Sequence, residues 1–279
     1  MTKFKRIISR LDIKEENLVK GIQLEGLRVL GDPTLFSKKY YEGSIDELIY
    51  QDCIASLYGN NNLHDFISKV SKQIFIPLTV GGGIRSIEDI KKVLSSGADK
   101  VAVNTAAIKD VNFLKDASEI FGSSTLSISI EAVKLEDNEY YCFTESGRNN
   151  SGLKVIDWCK RIQEYGAGEI ILTMVNKEGT GEGFDLEFLK SVLKVSTIPV
   201  IAHGGCGKKD DVLDLFNETD VDGISISSMF HYFYYKHLNI FQKKDTRNFN
   251  NYSNFFEGDS IDNLKKYLIK NKIEIRSWL

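Results

Sequence analysis

The sequence predicts an α/β protein that folds as a (β/α)8 barrel built from two related half-barrels. Eight short apolar segments alternate with segments of helical spacing along the 279 residues, and this alternation is typical of a parallel sheet flanked by helices. Two segments, at 76–84 and 198–207, share an Ile-Pro start, an apolar run and a cluster of glycines. Because the two copies lie roughly half the chain apart, they indicate an internal repeat. A flavodoxin-like open sheet would need fewer units than this chain contains.

The hydrophobic period of each segment predicts the elements in chain order. Apolar runs predict barrel strands at 6–13, 47–52, 74–80, 98–103, 126–130, 169–173, 198–203 and 224–226. Apolar residues three or four positions apart predict helices at 34–42, 63–73, 86–96, 113–121, 153–165, 185–193, 212–216 and 262–270. Residues 18–22 and 27–30 predict a hairpin or long loop after the first strand, and residues 140–143 a small hairpin within a polar excursion.

One domain is expected to span residues 1–279, since a chain of this length can form a single large core. Residues 232–258 interrupt the pattern before the last helix, because they are rich in aromatic residues, Asn and Lys and have no clean period. This segment is longer than the usual connection in a barrel. It predicts an atypical insert, either a disordered loop or a surface for a partner.

Composition excludes several classes of protein. The formal net charge is −3 and the pI is near 5.9, with no long basic block, so nucleic acid is not an expected partner. No apolar run approaches the roughly 20 residues of a membrane span, and the N-terminus lacks the apolar core of a signal peptide. The four cysteines have neither disulfide-framework nor zinc spacing, which favours free thiols in the cytoplasm. No metal ion and no organic cofactor are expected.

Two carboxyl groups are candidates for acid–base chemistry. Asp12 ends the first predicted strand and Glu131 follows the fifth, and in (β/α)8 barrels the carboxyl ends of the strands form the active site. The first and fifth strands lie opposite each other, so the two groups can divide the roles of acid and base if their environments separate their pKa values. The alternative is that either carboxylate is a turn residue or a salt-bridge partner.

Two glycine sets at strand ends predict anion binding, because glycine lets main-chain N–H groups approach a phosphate closely. The first glycine set contains Gly82, Gly83, Asn104 and Thr105, and the second contains Gly204, Gly205, Ser227 and Ser228. Together they suggest one ligand with a phosphate at each end. The alternative is that the glycines only form tight turns between strand and helix. Thr173 and His203 also end strands, and His203 is interpreted as a proton donor, a phosphate ligand or a neutral hydrogen-bonding residue.

Charged residues occupy the opposite ends of the strands. The four that open predicted strands are Arg6, Glu47, Lys100 and Glu169. Alternating charges at these positions can form a ring of salt bridges across the floor of the barrel. Such a ring is either a structural cap, as expected for the N-terminal face of this fold, or a gate over a hollow barrel.

Several motifs together resemble those of a known family. They include Arg6-Ile-Ile, Val19-Lys-Gly, Gly31-Asp-Pro, Val80-Gly-Gly-Gly-Ile, Gly97-Ala-Asp-Lys-Val, Asn104-Thr-Ala-Ala, Gly166-Ala-Gly-Glu-Ile, Glu178-Gly-Thr and Phe230-His. With these motifs the sequence resembles the cyclase subunit of imidazole glycerol phosphate synthase, the HisF family. The resemblance runs from about residue 5 to residue 231 and is recognisable again in the closing helix.

The resemblance implies a lyase of histidine biosynthesis. The family's reaction adds ammonia to a phosphoribulosyl-formimino intermediate with two phosphates and forms imidazole glycerol phosphate and an aminoimidazole carboxamide ribotide. The ammonia comes from a glutaminase subunit docked at the N-terminal face of the barrel and passes through the barrel core. By this resemblance Asp12 and Glu131 are catalytic, and the two glycine sets hold the phosphates. Lys20, Thr173, Gly179 and His203 are substrate-binding residues, and Arg6, Glu47, Lys100 and Glu169 match the ammonia gate.

The reacting centre departs from the family pattern, whereas the gate and the phosphate sets match it. Glu131 stands where the family has an aspartate, Arg10 where it has a cysteine, and His203 where it has a serine. Glu178 replaces an aspartate and Ile54 a threonine. Displacing a catalytic group by about 1 Å can cost on the order of 10²-fold in rate. Two further hypotheses therefore stay open: a paralogous subunit that channels ammonia for acetamidino modification of a surface sugar, and a non-catalytic activator of a glutaminase.

Overall fold

Eight parallel strands close into a barrel in the computed structural model, which describes residues 4–54, 63–237 and 258–277. The strands of these residues are β1 (Arg6–Lys14), β2 (Asn17–Ile22), β3 (Glu25–Gly31), β4 (Glu47–Asp52), β5 (Leu78–Gly81), β6 (Lys100–Val103), β7 (Leu126–Lys134), β8 (Tyr140–Thr144), β9 (Asn149–Lys154), β10 (Glu169–Met174), β11 (Val200–His203) and β12 (Gly223–Ile226). The barrel order is β1-β4-β5-β6-β7-β10-β11-β12, and β12 pairs with β1 through Ile224 and Ile7. The predicted (β/α)8 fold is confirmed.

Helices connect the barrel strands and pack against the outer side of the barrel. They are α1 (Pro33–Glu42), α2 (Leu63–Val70), α3 (Ile87–Ser95), α4 (Thr105–Lys109), α5 (Asn112–Phe121), α6 (Val155–Glu164), α7 (Leu186–Leu193), α8 (Lys209–Glu218), α9 (Ser228–His237) and α10 (Ile261–Lys270). Side chains satisfy free N–H groups at several helix starts: Asp32 accepts from Thr34 N ahead of α1, and Ser86 forms a capping box with Asp89 ahead of α3. Within the described ranges, no helix is both long enough and apolar enough to cross a membrane.

Each half of the barrel begins with a strand that continues into a hairpin. β2 and β3 extend β1, with Asp12 opposite Val19, and β8 and β9 extend β7, with Glu131 opposite Phe143. The first half then runs through β4, β5 and β6, and the second through β10, β11 and β12. Asp12 and Glu131 therefore occupy equivalent positions in two half-barrels.

Alternation along the strands divides the apolar side chains into two groups, because successive residues of a strand face opposite sides of the sheet. The larger group, which includes Ile7 and Ile224, packs between the barrel wall and the helices. A smaller, separate group lies inside the barrel. This inner apolar layer consists of Ile8, Ile49, Ala102, Ile171 and Ile201.

Some element boundaries differ from the sequence prediction. β7 continues to Lys134, so Glu131 lies inside the strand rather than after it, because hairpin pairing with β8 extends the ladder beyond the barrel. β5 and β6 begin at Leu78 and Lys100, later than expected. Helix α4 was not predicted, since its 5 residues are too few to show a helical period.

The expected insert at 232–258 is only partly described. Residues 232–237 belong to α9, whose buried side chains include Met229, Phe230 and Tyr232. The expected insert therefore begins within a helix. The sequence did not reveal this helix, because its run of aromatic residues shows no clear helical spacing of apolar and polar positions. Residues 238–257 lie outside the described residues, and the expectation of a single domain over 1–279 stays a prediction.

Lys265 ties the closing helix α10 to the barrel. Its Nζ donates to Asp46 Oδ1 at 2.7 Å and to the Ser44 carbonyl oxygen at 2.6 Å, while Asp46 Oδ2 accepts from Ile7 N at 2.8 Å. Lys265 and Asp46 are 5% and 2% exposed. Burial raises the pKa of Asp46 and lowers the pKa of Lys265, because both charges lose hydration on folding. Removal of either partner would leave the other charge buried and unpaired.

Lys265→Ala is expected to lower the free energy of unfolding by about 3 kcal/mol, because Asp46 would stay buried without its partner. The matched control is Lys266→Ala, which removes an exposed i,i+4 pair with Asp262 and should change stability by about 0.5 kcal/mol or less. Urea unfolding followed by circular dichroism measures both variants. Equal losses in the two would contradict the role assigned to Lys265.

Candidate active site

The barrel mouth, formed by the carboxyl ends of the barrel strands, brings together the candidate side chains. Glu131, Thr173 and His203 lie side by side on β7, β10 and β11, since Thr173 is in register with both of the others. Asp12 lies on β1, four strands away from β7 around the barrel. The two candidate carboxyls therefore reach the mouth from opposite sides.

Asp12 is held in a buried ion pair with Arg10, which is two residues earlier on the same strand. Arg10 Nε donates to Asp12 Oδ1 at 2.8 Å, and Arg10 Nη1 donates to Thr173 Oγ1 at 3.2 Å. Both side chains of the pair are 3% exposed. Burial alone would raise the pKa of Asp12, but the charges of Arg10 and Lys20 hold it below its ordinary value. Asp12 is therefore a carboxylate at neutral pH.

Glu131 has the opposite electrostatic environment. Its Oε2 accepts from the main-chain N–H of Gly147 at 2.8 Å. Burial raises the pKa of Glu131 to about 7, and the Gly147 N–H and the Arg10 charge offset only part of that effect. Asp12 and Glu131 thus have well-separated pKa values, which suits one of them to carry charge and the other to move protons.

A left-handed turn between β8 and β9 positions that N–H donor. Glu145, Ser146 and Gly147 have φ values of 56°, 60° and 78°, a conformation that is unfavourable for residues other than glycine. Ser146 Oγ donates to the Cys53 carbonyl oxygen at 3.1 Å, which holds the turn against the loop after β4. The strained path therefore directs one main-chain N–H at Glu131.

Lys20 is also buried, and its partner is Glu178. Lys20 Nζ donates to Glu178 Oε1, and each side chain is 1% exposed. Glu178 Oε2 accepts from Leu24 N at 3.2 Å. Burial lowers the pKa of Lys20, but the charges of Glu178 and Asp12 outweigh that effect and raise it. A second buried ion pair thus lies beside the Arg10–Asp12 pair.

The first glycine set lines a cavity of about 370 Å³ that also contacts Glu131. Gly82 and Gly83 have φ values of 98° and 71°, and a Cβ at Gly82 would clash with the Asp52 carbonyl group. Glycine is therefore required where β5 ends. Asn104 Nδ2 donates to the Phe143 carbonyl oxygen at 3.0 Å, while its buried Oδ1 has no hydrogen-bond partner among the described residues.

The second glycine set lies across the mouth, at the ends of β11 and β12. Gly204 and Gly205 have φ values of 93° and 112°, and a Cβ at Gly205 would clash with the Gly183 carbonyl group. Ser227 Oγ donates to the Arg10 carbonyl oxygen at 2.8 Å, and Ser228 begins α9. This set therefore combines close backbone approach with a helix N-terminus, a combination that favours an anion.

Gly179 lies in the loop after β10 and has a φ of 74°. A Cβ there would come within 2.6 Å of the Gly21 carbonyl oxygen, so glycine allows this loop to pack on the hairpin that carries Lys20.

His203 is buried and neutral. Its Nδ1 lies 2.9 Å from the Ser225 carbonyl oxygen, and its Nε2 has no hydrogen-bond partner among the described residues. Burial and the nearby Arg10 charge lower its pKa to about 3. Of the three interpretations given by the sequence, the neutral hydrogen-bonding residue fits this geometry best.

Four charges form a closed ring at the floor of the barrel. Arg6 Nη1 lies 2.9 Å from Glu47 Oε1, and Arg6 Nη2 lies 2.6 Å from Glu169 Oε2. Lys100 Nζ lies 3.3 Å from Glu47 Oε2 and 3.4 Å from Glu169 Oε1. Each carboxylate therefore bridges both cations. The ring lies one layer below the inner apolar layer, since Ile8, Ile49, Ala102 and Ile171 follow its members by two residues on their strands.

Two partners at the mouth were not paired from the sequence, namely Arg10 with Asp12 and Glu178 with Lys20. The period of two on β1 is a signal that could have identified the first, because residues 10 and 12 of a strand face the same side. The second joins residues 158 positions apart, and no local pattern predicts it.

Comparison with known proteins identifies the family of the chain. A family model described as "Histidine biosynthesis protein" matches residues 6–236. The chain is 48% identical to the imidazole glycerol phosphate synthase subunit HisF of Legionella pneumophila over 206 residues, which are 74% of this chain and 97% of the relative. It is 44% identical to the protein of the same name from Lactococcus lactis subsp. lactis (strain IL1403) over 229 residues, 82% of this chain and 88% of the relative.

A third relative covers nearly the whole chain. The imidazole glycerol phosphate synthase subunit HisF of Lactococcus lactis subsp. cremoris (strain MG1363) is 38% identical over 274 residues, 98% of this chain and 96% of the relative. The chain belongs to the histidine biosynthesis protein family, in which these relatives are imidazole glycerol phosphate synthase subunits.

Proposed function

We propose that this chain is the cyclase subunit of an imidazole glycerol phosphate synthase. It uses ammonia to convert a phosphoribulosyl-formimino-aminoimidazole carboxamide ribotide with two phosphates into imidazole glycerol phosphate and aminoimidazole carboxamide ribotide. The observation that carries the proposal is the position of the two glycine sets on opposite sides of one barrel mouth, with Asp12 and Glu131 between them. That arrangement suits one elongated substrate with an anionic group at each end.

The separated pKa values of the two carboxyls suit the chemistry of ring formation. Addition of ammonia to a carbonyl carbon, ring closure and loss of water each require a proton to be given or taken up. Glu131, whose pKa burial raises to about 7, can do both near neutral pH. Asp12, kept ionised by Arg10, can stabilise positive charge that develops on the attacking nitrogen.

The floor of the barrel supports a second part of the proposal, that ammonia enters from a glutaminase subunit docked at the N-terminal face. A small neutral molecule could pass the four-charge ring when one of its ion pairs opens. It would then cross the inner apolar layer of Ile8, Ile49, Ala102, Ile171 and Ile201, which offers no hydrogen bond to retain it.

The Arg10–Asp12 ion pair favours one alternative function. A guanidinium held 2.8 Å from a catalytic carboxylate changes the charge presented to the substrate. It would suit a paralogous subunit that keeps the ammonia path and serves acetamidino modification of a surface sugar. Chemical identification of the product distinguishes the two: imidazole glycerol phosphate formed from the bisphosphate substrate and ammonium salts excludes the alternative as the main activity.

Glu131→Gln is expected to lower kcat for ammonia-dependent cyclisation by about 10²- to 10⁴-fold, because the amide cannot exchange a proton. The control is Glu119→Gln on the exposed face of α5, which should leave kcat unchanged. Formation of imidazole glycerol phosphate at saturating ammonium measures both. If Glu131→Gln kept full activity, Glu131 would not be the group that moves protons. If the wild type formed no imidazole glycerol phosphate, the protein would instead act on another substrate or be a non-catalytic activator of a glutaminase.

The raised pKa of Glu131 also predicts a pH-dependent stability. The folded pKa of about 7 exceeds the ordinary value of 4.5, so the folded state binds this proton more tightly than the unfolded state. Binding of this proton stabilises the folded state fully below pH 4.5, and the stabilisation is lost as the pH rises to about 7. The loss lowers the free energy of unfolding by about 3 kcal/mol. We expect Glu131→Gln to gain stability relative to the wild type between pH 5 and pH 8 in urea unfolding. A stability difference that is the same at both pH values would contradict the assigned pKa.

Lys100→Ala is expected to reduce glutamine-dependent product formation more than ammonium-dependent formation, because it opens the four-charge ring without touching the mouth. The assay mixes the chain with its glutaminase and compares product formed per glutamine hydrolysed. Lys92→Ala on the exposed face of α3 is the control. Equal losses with both nitrogen sources would contradict the role of the ring as a gate.

A further inference from the structure

Two adjacent buried polar atoms inside the barrel lack hydrogen-bond partners among the described residues. They are His203 Nε2 and Ser225 Oγ. The two residues are neighbours, since His203 on β11 is in register with Ser225 on β12. They are 2% and 1% exposed, so bulk water does not satisfy them. Buried polar atoms in folded proteins are nearly always hydrogen-bonded. Two adjacent unpaired atoms therefore indicate a site for a small bound molecule.

Both side chains face the barrel interior. His203 follows Ile201 of the inner apolar layer by two residues on β11. Ser225 follows Gly223 by two residues, and a Cβ at Gly223 would lie 3.1 Å from Ile201 Cδ1. Ile224 and Ile226, on the opposite side of β12, belong to the outer core. A small molecule would therefore enter the space between His203 and Ser225 from the interior of the barrel.

The hydrogen bond at Nδ1 fixes the tautomer of His203. The Ser225 carbonyl oxygen, 2.9 Å from Nδ1, can only accept, so Nδ1 carries the proton. Since burial and the Arg10 charge lower the pKa of the ring to about 3, the ring carries no second proton at neutral pH. Nε2 is therefore a lone-pair acceptor that needs a donor, and Ser225 Oγ can donate and accept.

The position of the pair along the barrel axis follows from strand register. Ser225 is in register with Ile8 of the inner apolar layer on one side and with His203 on the other. His203 is in register with Thr173, which contacts Arg10 at the mouth. The pair thus lies between the inner apolar layer and the reacting carboxyls. It offers two adjacent unpaired hydrogen-bonding atoms to a molecule that has crossed that layer from the floor.

We propose that His203 and Ser225 form a binding site for one molecule of ammonia, which donates to His203 Nε2 and exchanges a hydrogen bond with Ser225 Oγ before it reaches the substrate. A phosphate or carboxylate oxygen does not fit, because Nε2 has no hydrogen to donate. Ammonium fits poorly, because His203 and Ser225 are 2% and 1% exposed and a full charge would lose its hydration there. The molecules that match these two atoms are small, neutral and able to donate a hydrogen bond, namely ammonia and water. The inference deepens the proposed cyclase function and rests on it.

The kinetic test removes the hydrogen-bonding groups of one residue at a time. His203→Phe removes Nε2 together with the Nδ1 bond to the Ser225 carbonyl oxygen, and Ser225→Ala removes only the hydroxyl. His203→Phe and Ser225→Ala are each expected to raise the KM for ammonium by roughly tenfold, the effect of one neutral hydrogen bond. In Ser225→Ala, the value of kcat at saturating ammonium and the KM for the bisphosphate substrate should stay near those of the wild type. The control is Ser9→Ala on β1, a buried hydroxyl that already donates to the Ile226 carbonyl oxygen at 3.2 Å. Its KM for ammonium should not change.

An unchanged KM for ammonium in both variants would overturn the proposal and would mean that the pair holds a structural water only. A loss confined to kcat would also overturn it, because it would assign the residues to the chemical step. If Ser225→Ala failed to fold, Ser225→Thr, which keeps the hydroxyl, should retain the wild-type KM for ammonium. A tenfold rise in that variant would overturn the role of the hydroxyl.

A second measurement separates this inference from the proposed function. In protein labelled with ¹⁵N-histidine, the Nε2 resonance of His203 is expected to shift on titration with ammonium chloride at pH 8.5, and the shift should be lost in Ser225→Ala. If the resonance shifts but no imidazole glycerol phosphate forms, the result supports the ammonia site and contradicts the cyclase function. If product forms, but the resonance does not shift on titration and the variants keep the wild-type KM for ammonium, the result supports the cyclase function and contradicts the ammonia site.

Discussion

Closure of the eight strands determines which side chains face the barrel axis, and every functional feature depends on that alternation. Along β1, residues Arg6, Ile8, Arg10 and Asp12 all face inward. They belong in turn to the floor ring, the inner apolar layer and the mouth. A slip of one residue in the pairing of β1 with β12 would turn all of them outward. The register of one strand thus sets the positions of side chains at the floor, in the interior and at the mouth of the barrel.

The ionisable side chains at the barrel mouth are buried, so the pKa of each depends mainly on its neighbouring charges and hydrogen bonds. Asp12 and Glu131 occupy equivalent positions and are similarly buried, at 2% and 7% exposed. Their pKa values move in opposite directions because Asp12 has a guanidinium at 2.8 Å whereas Glu131 has a neutral N–H. The charge of Arg10, with a further contribution from Lys20, therefore separates the pKa values of two carboxyls that the fold places at equivalent positions. The same charge acts on the His203 ring and helps to keep it neutral.

The sequence predicted the parts of this arrangement that have a local signal. Strand period, glycine clusters and charges at strand starts identified the barrel and its candidate residues. The sequence did not predict that Glu131 lies inside β7, because pairing with a later hairpin strand extends that ladder. It also did not predict that Lys265, on a helix with other exposed lysines, is buried against Asp46. Both features depend on contacts between distant parts of the chain.

The turn at Glu145, Ser146 and Gly147 limits how sequence change can alter the acid at Glu131. One donor to this carboxylate is the main-chain N–H of Gly147, which every amino acid except proline would retain. Side-chain variation at position 147 therefore acts on the acid only by bending the chain path. Evolution could adjust the protonation of Glu131 through the handedness of a three-residue turn while the Glu131 side chain itself stayed the same.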